Sequence, residues 1–148
     1  MENGRGTGDG ATTMGLAGAG RVLVLAEDDE DMRGLLAAHL RRLGYTVVEA
    51  RDGIELLDQI EATARDSGRG QAAFAAIVAD NQMPGLLGLD VLAALSGARW
   101  EVPFILISAL ADEATCEEAQ ALGAAAVLAK PLDGRVLRAA LRAAMPGD

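Results

Sequence analysis

Val22-Leu-Val-Leu-Ala-Glu-Asp-Asp29 runs five apolar residues straight into three carboxylates. No polar residue alternates within Val22 to Ala26, so a strand here must be covered on both faces, as in a parallel sheet between helix layers. The pattern returns downstream: Tyr45 to Val48, Phe74 to Ala79, Phe104 to Ile107 and Ala125 to Ala129 are further short apolar runs. Between the runs lie stripes at helical spacing. Met32, Leu35, Leu36, Leu40 and Leu43 form the first, and Ile54, Leu57 and Ile60 the second. Leu89, Leu92, Ala93 and Leu95 mark a short third helix, Asp112 to Leu122 a fourth, and Leu137 to Ala144 lies in the last. Gly44 and Gly123 stand where C-terminal caps belong, and Asp52 with Glu55 makes a capping box. Ser67 to Gly70 reads as a loop. Strands alternating with helices in this way predict an α/β fold, an open, doubly wound, five-stranded parallel sheet.

Composition agrees with that reading. The chain has 148 residues, of which 51% are hydrophobic but only 3% aromatic. A core of Leu, Val, Ile and Ala suits helices on a buried sheet better than an aromatic-rich sandwich. The net charge of −9 argues against nucleic acid or an anionic membrane as a direct partner. Cys116 is the one cysteine, so no internal disulfide can form. Met14 to Ala26 has the hydropathy of a signal-peptide core, but Arg21 interrupts it and the leader carries almost no positive charge. The expectation is a soluble, cytoplasmic protein. Residues 1–20 are Gly-rich and expected to be a flexible tail, with residues 21–146 as the domain. Gly15, Gly18 and Gly20 precede the first strand instead of following it, so they do not form a dinucleotide loop. The chain ends soon after its last helix, and no covalently attached output domain is expected to follow.

A doubly wound sheet binds its ligand at the carboxyl ends of its strands, near the switch in strand order. The residues just after each apolar run are therefore the ones that matter. Glu27, Asp28 and Asp29 follow the first, Asp80 the third, Ser108 the fourth and Lys130 the fifth. Carboxylates brought together would take up protons unless a cation compensated. Mg²⁺ does so with one or two carboxylates, retained waters and a phosphate oxygen. Lys130 adds positive charge for a phosphoryl group, and Ser108 can donate to one of its oxygens. The set points to phosphoryl transfer, with Asp80 as the nucleophile that becomes an acyl phosphate. Taken singly, each charge could merely solvate a strand end; four strand ends matching one chemistry favour the functional reading.

Four segments also carry a family resemblance. Val22-Leu-Val-Leu-Ala-Glu-Asp-Asp-Glu-Asp-Met-Arg33 resembles the opening of two-component response-regulator receiver domains, and Asp80-Asn-Gln-Met-Pro-Gly85 resembles their phosphoacceptor turn. Phe104-Ile-Leu-Ile-Ser-Ala109 and Val127-Leu-Ala-Lys-Pro-Leu132 are similar to the two remaining signature segments, so the likeness runs from Arg21 to Ala144. It implies the flavodoxin-like receiver fold with strand order 2-1-3-4-5 and a phosphoacceptor switch, not an enzyme, that acts only on its own aspartate. A histidine kinase or histidine phosphotransfer protein would supply phosphate to Asp80. The resemblance makes Glu27 and Asp28 the acidic pair, Asp28 binding Mg²⁺ directly and Glu27 through water. It makes the Gln82 backbone carbonyl a further ligand, Ser108 the switch hydroxyl, Lys130 the phosphoryl-binding lysine and the bond to Pro131 cis.

Two departures stand out. Receivers often carry Tyr or Phe three residues before the lysine, where this chain has Val127. The segment from Asp52 to Asp80 is longer than usual by roughly two helical turns, which resembles receivers of hybrid histidine kinases. A stand-alone regulator and a fragment of such a kinase are both compatible with that.

Other features carry less. His39 lacks a kinase-type histidine motif and reads as a helix-flank residue. Asp29, Asp31 and Gly34 hint at a calcium loop, but Arg33 takes a ligand position and Leu40 stands where the closing Glu belongs. Glu117 and Glu118 disfavour a thiolate at Cys116. Arg135, Arg138 and Arg142 follow helical spacing, as a solvated face or a partner-docking face. A haloacid-dehalogenase-type phosphatase would need a second Asp two residues after the nucleophile, where Gln82 stands. A non-phosphorylated interaction module on the same fold would have a degraded site, and these site residues are intact.

Overall fold

A computed structural model describes residues 20–67 and 74–145. Its element order is β1 (Val22–Ala26), α1 (Glu30–Arg42), β2 (Thr46–Ala50), α2 (Gly53–Ser67), β3 (Ala76–Asp80), α3 (Gly88–Gly97), β4 (Phe104–Ser108), α4 (Glu113–Ala121), β5 (Ala126–Ala129) and α5 (Gly134–Ala144). The strands form one parallel sheet in the order β2-β1-β3-β4-β5. Strand order therefore reverses between β1 and β3, which lie side by side at the switch point. No helix among the described residues is long and apolar enough to cross a membrane.

The apolar runs explain the layers. Successive strand residues face opposite sides, so each run feeds two cores. Val24, Ala26, Ile77, Ala79, Phe104 and Leu106 join Leu56, Ile60, Val91, Leu92, Leu95 and Ala119 on the face covered by α2, α3 and α4. Leu23, Leu25, Ala76, Val78, Ile105 and Ile107 join Leu36, Ala37, Leu40, Leu137 and Leu141 under α1 and α5. The central strands β3 and β4 are buried throughout, whereas the edge strand β5 is half-buried at best.

Several boundaries differ from the sequence reading. The second strand is Thr46–Ala50 instead of Tyr45 to Val48. Charged Glu49 ends the apolar run without ending the strand, because an edge strand leaves that side chain room to reach α1. The third strand begins at Ala76 and takes Asp80 into its ladder opposite Ile107. Glu55 bonds the Arg51 amide (2.9 Å) while Asp52 accepts from the Glu55 amide (2.7 Å), so the expected capping box reaches one residue further back. Ser67 is the last residue of α2. The rest of the expected loop to Gly70, and the Gly-rich tail up to residue 19, lie outside the described residues.

Candidate functional site

The carboxyl ends of β1, β3, β4 and β5 converge around three carboxylates. The Glu27 amide makes the last bond of β1, donating to the Ala50 carbonyl at 3.0 Å. The chain then turns into α1. Asp29 caps that helix by accepting from the Met32 amide (2.9 Å) and stands outside the carboxylate group. Glu27 is buried and Asp28 exposed. Asp80, 1% exposed at the end of the central strand, completes the group. Ligand oxygens of Glu27, Asp28 and Asp80 all lie within 4.8 Å of one another.

Both Asp80 oxygens are held. Oδ1 accepts from the Gln82 amide at 3.1 Å, and Oδ2 accepts from Lys130 Nζ at 2.8 Å. Lys130 Nζ also stands 3.2 Å from Glu27 Oε1 as an ion-pair contact. That contact is poorly directed, and buried Glu27 Oε1 receives no hydrogen bond. The other Glu27 oxygen accepts from the Asp29 amide at 3.2 Å. Burial, followed by sharing of the pocket with Asp80, pushes the Glu27 carboxyl up to about 7. Burial works against the Lys130 charge, but the hydrogen bond and charge of Asp80, helped by Glu27, outweigh it and hold the ammonium above its ordinary value.

This donor set is all oxygen, anionic and only partly satisfied by one ammonium. It fits a hard divalent cation, for which one or two carboxylates with water are the usual protein ligands. Buried Glu27 Oε1, with no directed hydrogen bond and only an ammonium shared with Asp80 beside it, is the specific sign that further positive charge or a proton is owed to the pocket.

The remaining expected residues lie around it. Ser108 is fully buried at the end of β4, where its hydroxyl oxygen accepts from the Leu110 amide at 3.1 Å. Its carbonyl accepts from the Lys130 amide at 3.0 Å, which couples the two strand ends. The Lys130–Pro131 peptide is cis. Gln82 is exposed, its side-chain carbonyl 3.4 Å from the Ala109 amide. Val127 pairs with Leu106 in the ladder and packs on the core beneath α3 and α4.

Three supporting residues escaped the sequence reading. Asn81 is buried, accepts from the Leu89 amide through Oδ1 at 2.9 Å, and so fastens α3 behind Asp80. Gly88 lets α3 start against the Asp80 carbonyl. Arg33, noted in the sequence only as the end of the first segment and as a residue that spoils a calcium loop, donates to the Glu27 carbonyl at 2.9 Å. A polar residue next to Asp80 and a glycine at a helix start were the available signals for the first two. The third joins groups that only folding brings together.

A group of three carboxylates at the switch point of a doubly wound sheet, with a lysine ammonium against two of them and a buried hydroxyl at the next strand end, marks a cation- and phosphoryl-handling class of α/β proteins. The response regulator receiver domain family matches residues 23–142, and the chain belongs to that family. Among curated relatives it is 34% identical to the response regulator MprA of Mycobacterium tuberculosis, over 83% of this chain and 49% of that protein. It is 32% identical to the transcriptional regulatory protein FixJ of Azorhizobium caulinodans, over 80% of this chain and 52% of that protein. The chain spans about a third to a half of the length of the curated relatives it matches. Among solved structures it resembles a Burkholderia pseudomallei response regulator with a phosphorylated aspartic acid, calcium ion and citrate: 28% identity, TM-score 0.70, 83% of this chain and 68% of that one. A CheX–CheY complex from Borrelia burgdorferi matches at TM-score 0.76 and 19% identity, over 88% of this chain and 95% of that one, a likeness of fold. The protein is thus a receiver domain of the two-component response-regulator type, a family that accepts phosphate on aspartate.

Proposed function

We propose that Asp80 is the phosphoacceptor of this receiver, taking a phosphoryl group from a phosphohistidine of a histidine kinase or phosphotransfer protein. One carboxylate oxygen attacks phosphorus, the P–N bond breaks as the P–O bond forms, and the departing imidazole nitrogen recovers a proton. The observation that carries this reading is the position of buried Asp80, 2.8 Å from Lys130 Nζ and grouped with Glu27 and Asp28. Glu27, Asp28, Asp80 and the Gln82 carbonyl would hold Mg²⁺. Bound there, the ion supplies charge neutralisation for phosphoryl oxygens as they approach the carboxylates.

Lys130 neutralises the transferred group from the other side, and the Ser108 hydroxyl, whose oxygen accepts from the Leu110 amide, has its proton to donate; moving towards the phosphoryl group exchanges the first contact for the second. That exchange is the switch: the phosphorylated form favours a second arrangement of the β4–α4 loop. Val127 has no ring to rotate, so coupled aromatic rotation does not accompany it. Catalysis is confined to the domain's own aspartate and the hydrolysis of its acyl phosphate. The solvent-facing acidic surface suits a cytoplasmic signalling protein that meets proteins, not nucleic acid or membrane.

Incubation with Mg²⁺ and acetyl phosphate, followed by intact mass, tests this. Wild type should gain one phosphoryl group and Asp80→Asn should gain none. An unmodified wild type, or a modified Asp80→Asn, would defeat the assignment.

A further inference from the structure

We infer that Arg33 is a positioning residue for the acidic pair, holding the Glu27–Asp28 peptide so that Asp28 faces the cation pocket. This rests on the proposed cation site. Arg33 lies four residues after the Asp29 cap, one turn into α1, and helical side chains lean back towards the N-terminus. Its guanidinium therefore returns to the β1–α1 turn, where Nη1 donates to the Glu27 carbonyl at 2.9 Å. The Glu27 amide makes the last bond of β1, and among the described residues no strand amide is paired with its carbonyl.

The guanidinium is itself braced. Nε donates to Glu49 Oε1 at 3.1 Å, and the Arg33 side chain is only 16% exposed. The second Glu49 oxygen accepts from Arg41 Nη2 at 3.1 Å, and the same Arg41 nitrogen donates to the Val47 carbonyl at 3.0 Å. Two arginines of α1 thus grip one carboxylate of β2, and one of them reaches on to the peptide that carries Asp28. Asp28 is exposed, so backbone orientation is the main restraint on where its carboxylate points. A planar guanidinium can serve Glu49 and the Glu27 carbonyl at once; a lysine ammonium at this site reaches only one well.

Partners that orient metal ligands typically cost 10- to 100-fold in affinity when removed. Isothermal titration of the metal-free protein with MgCl₂ reads this directly, beside urea unfolding in EDTA. Arg33→Ala should raise the Mg²⁺ Kd about tenfold or more, with Arg33→Lys and Glu49→Gln between it and wild type. The metal-free unfolding midpoints of Arg33→Lys and Glu49→Gln should stay near that of wild type. If wild type binds Mg²⁺ and Arg33→Ala binds it within about twofold, the inference falls while the site stands. Should Arg33→Ala not fold, the two milder variants decide, and wild-type affinity in both overturns it. Loss of affinity in them only in step with loss of metal-free stability also overturns it. A wild type that binds no Mg²⁺ instead removes the site on which the inference rests.

Discussion

A methyl group added at Gly88 would stand 2.8 Å from the Asp80 carbonyl oxygen and 2.8 Å from Leu106 Cδ1. Neither neighbour can yield cheaply, since one is backbone at the end of the central strand and the other is a core side chain. Gly88→Ala should therefore destabilise the domain by about 1–3 kcal/mol, the usual cost of overpacking, measured by urea unfolding. Because α3 would be levered away from Asp80, its rate of phosphorylation by acetyl phosphate should fall as well. An unchanged midpoint would mean that α3 can shift freely. The neighbouring Asn81 works from the same side: its backbone amide donates to the Ile107 carbonyl at 2.7 Å and its carbonyl accepts from the Gly88 amide at 3.1 Å. Asp80 is thus held in place from behind by Gly88 and Asn81.

Helix α5 follows directly on the segment that carries Lys130. Asp133 caps it, accepting from the Arg135 amide at 2.8 Å. That backbone bond, followed by the Arg135 side chain, holds the Asp133 carboxyl below its ordinary value of 3.8. A depressed carboxyl lends stability that is complete above the unfolded value and is lost as pH falls through the lower native one. Carbon-detected NMR should accordingly give Asp133 a midpoint below 3.8, and Asp133→Asn, which can still cap, should flatten that portion of the acid limb. A midpoint at or above the ordinary value would rule the cap out. At the same helix start His39 Nε2 lies 3.1 Å from the Gly134 carbonyl, so the one histidine ties α1 to α5. Its helix-flank position was legible in the sequence; its partner, 95 residues away, was not. Edge strand β2 teaches the same lesson, because Glu49 broke the apolar run that marked the strand, yet stays in it as the anchor of two arginines.

For the whole molecule, the binding of a cation to the folded state alone predicts mass-action stabilisation. At free Mg²⁺ roughly 100-fold above its Kd the gain should be about 2.7 kcal/mol, reversed by EDTA. Asp28→Asn should lose most of it while keeping its metal-free stability, because Asp28 is exposed and belongs to neither core. Equal gains in wild type and variant would place the ion elsewhere. The order and type of the elements, and the chemical set Glu27, Asp28, Asp80, Ser108 and Lys130, were legible because buried parallel strands are written as unbroken apolar runs and their ends are where polar groups begin. Those are local properties of the chain. Which carboxylates share a pocket was a matter of tertiary structure: Asp29 turned to cap α1, while Lys130, after β5, reached past β4 to Asp80 at 2.8 Å. The braces Arg33–Glu49, Asn81–Leu89 and His39–Gly134 likewise exist only after packing, since hydrogen bonds between distant segments leave no periodic mark in a sequence. Local pattern determined the layers and the inventory; the meeting of strand ends decided the site.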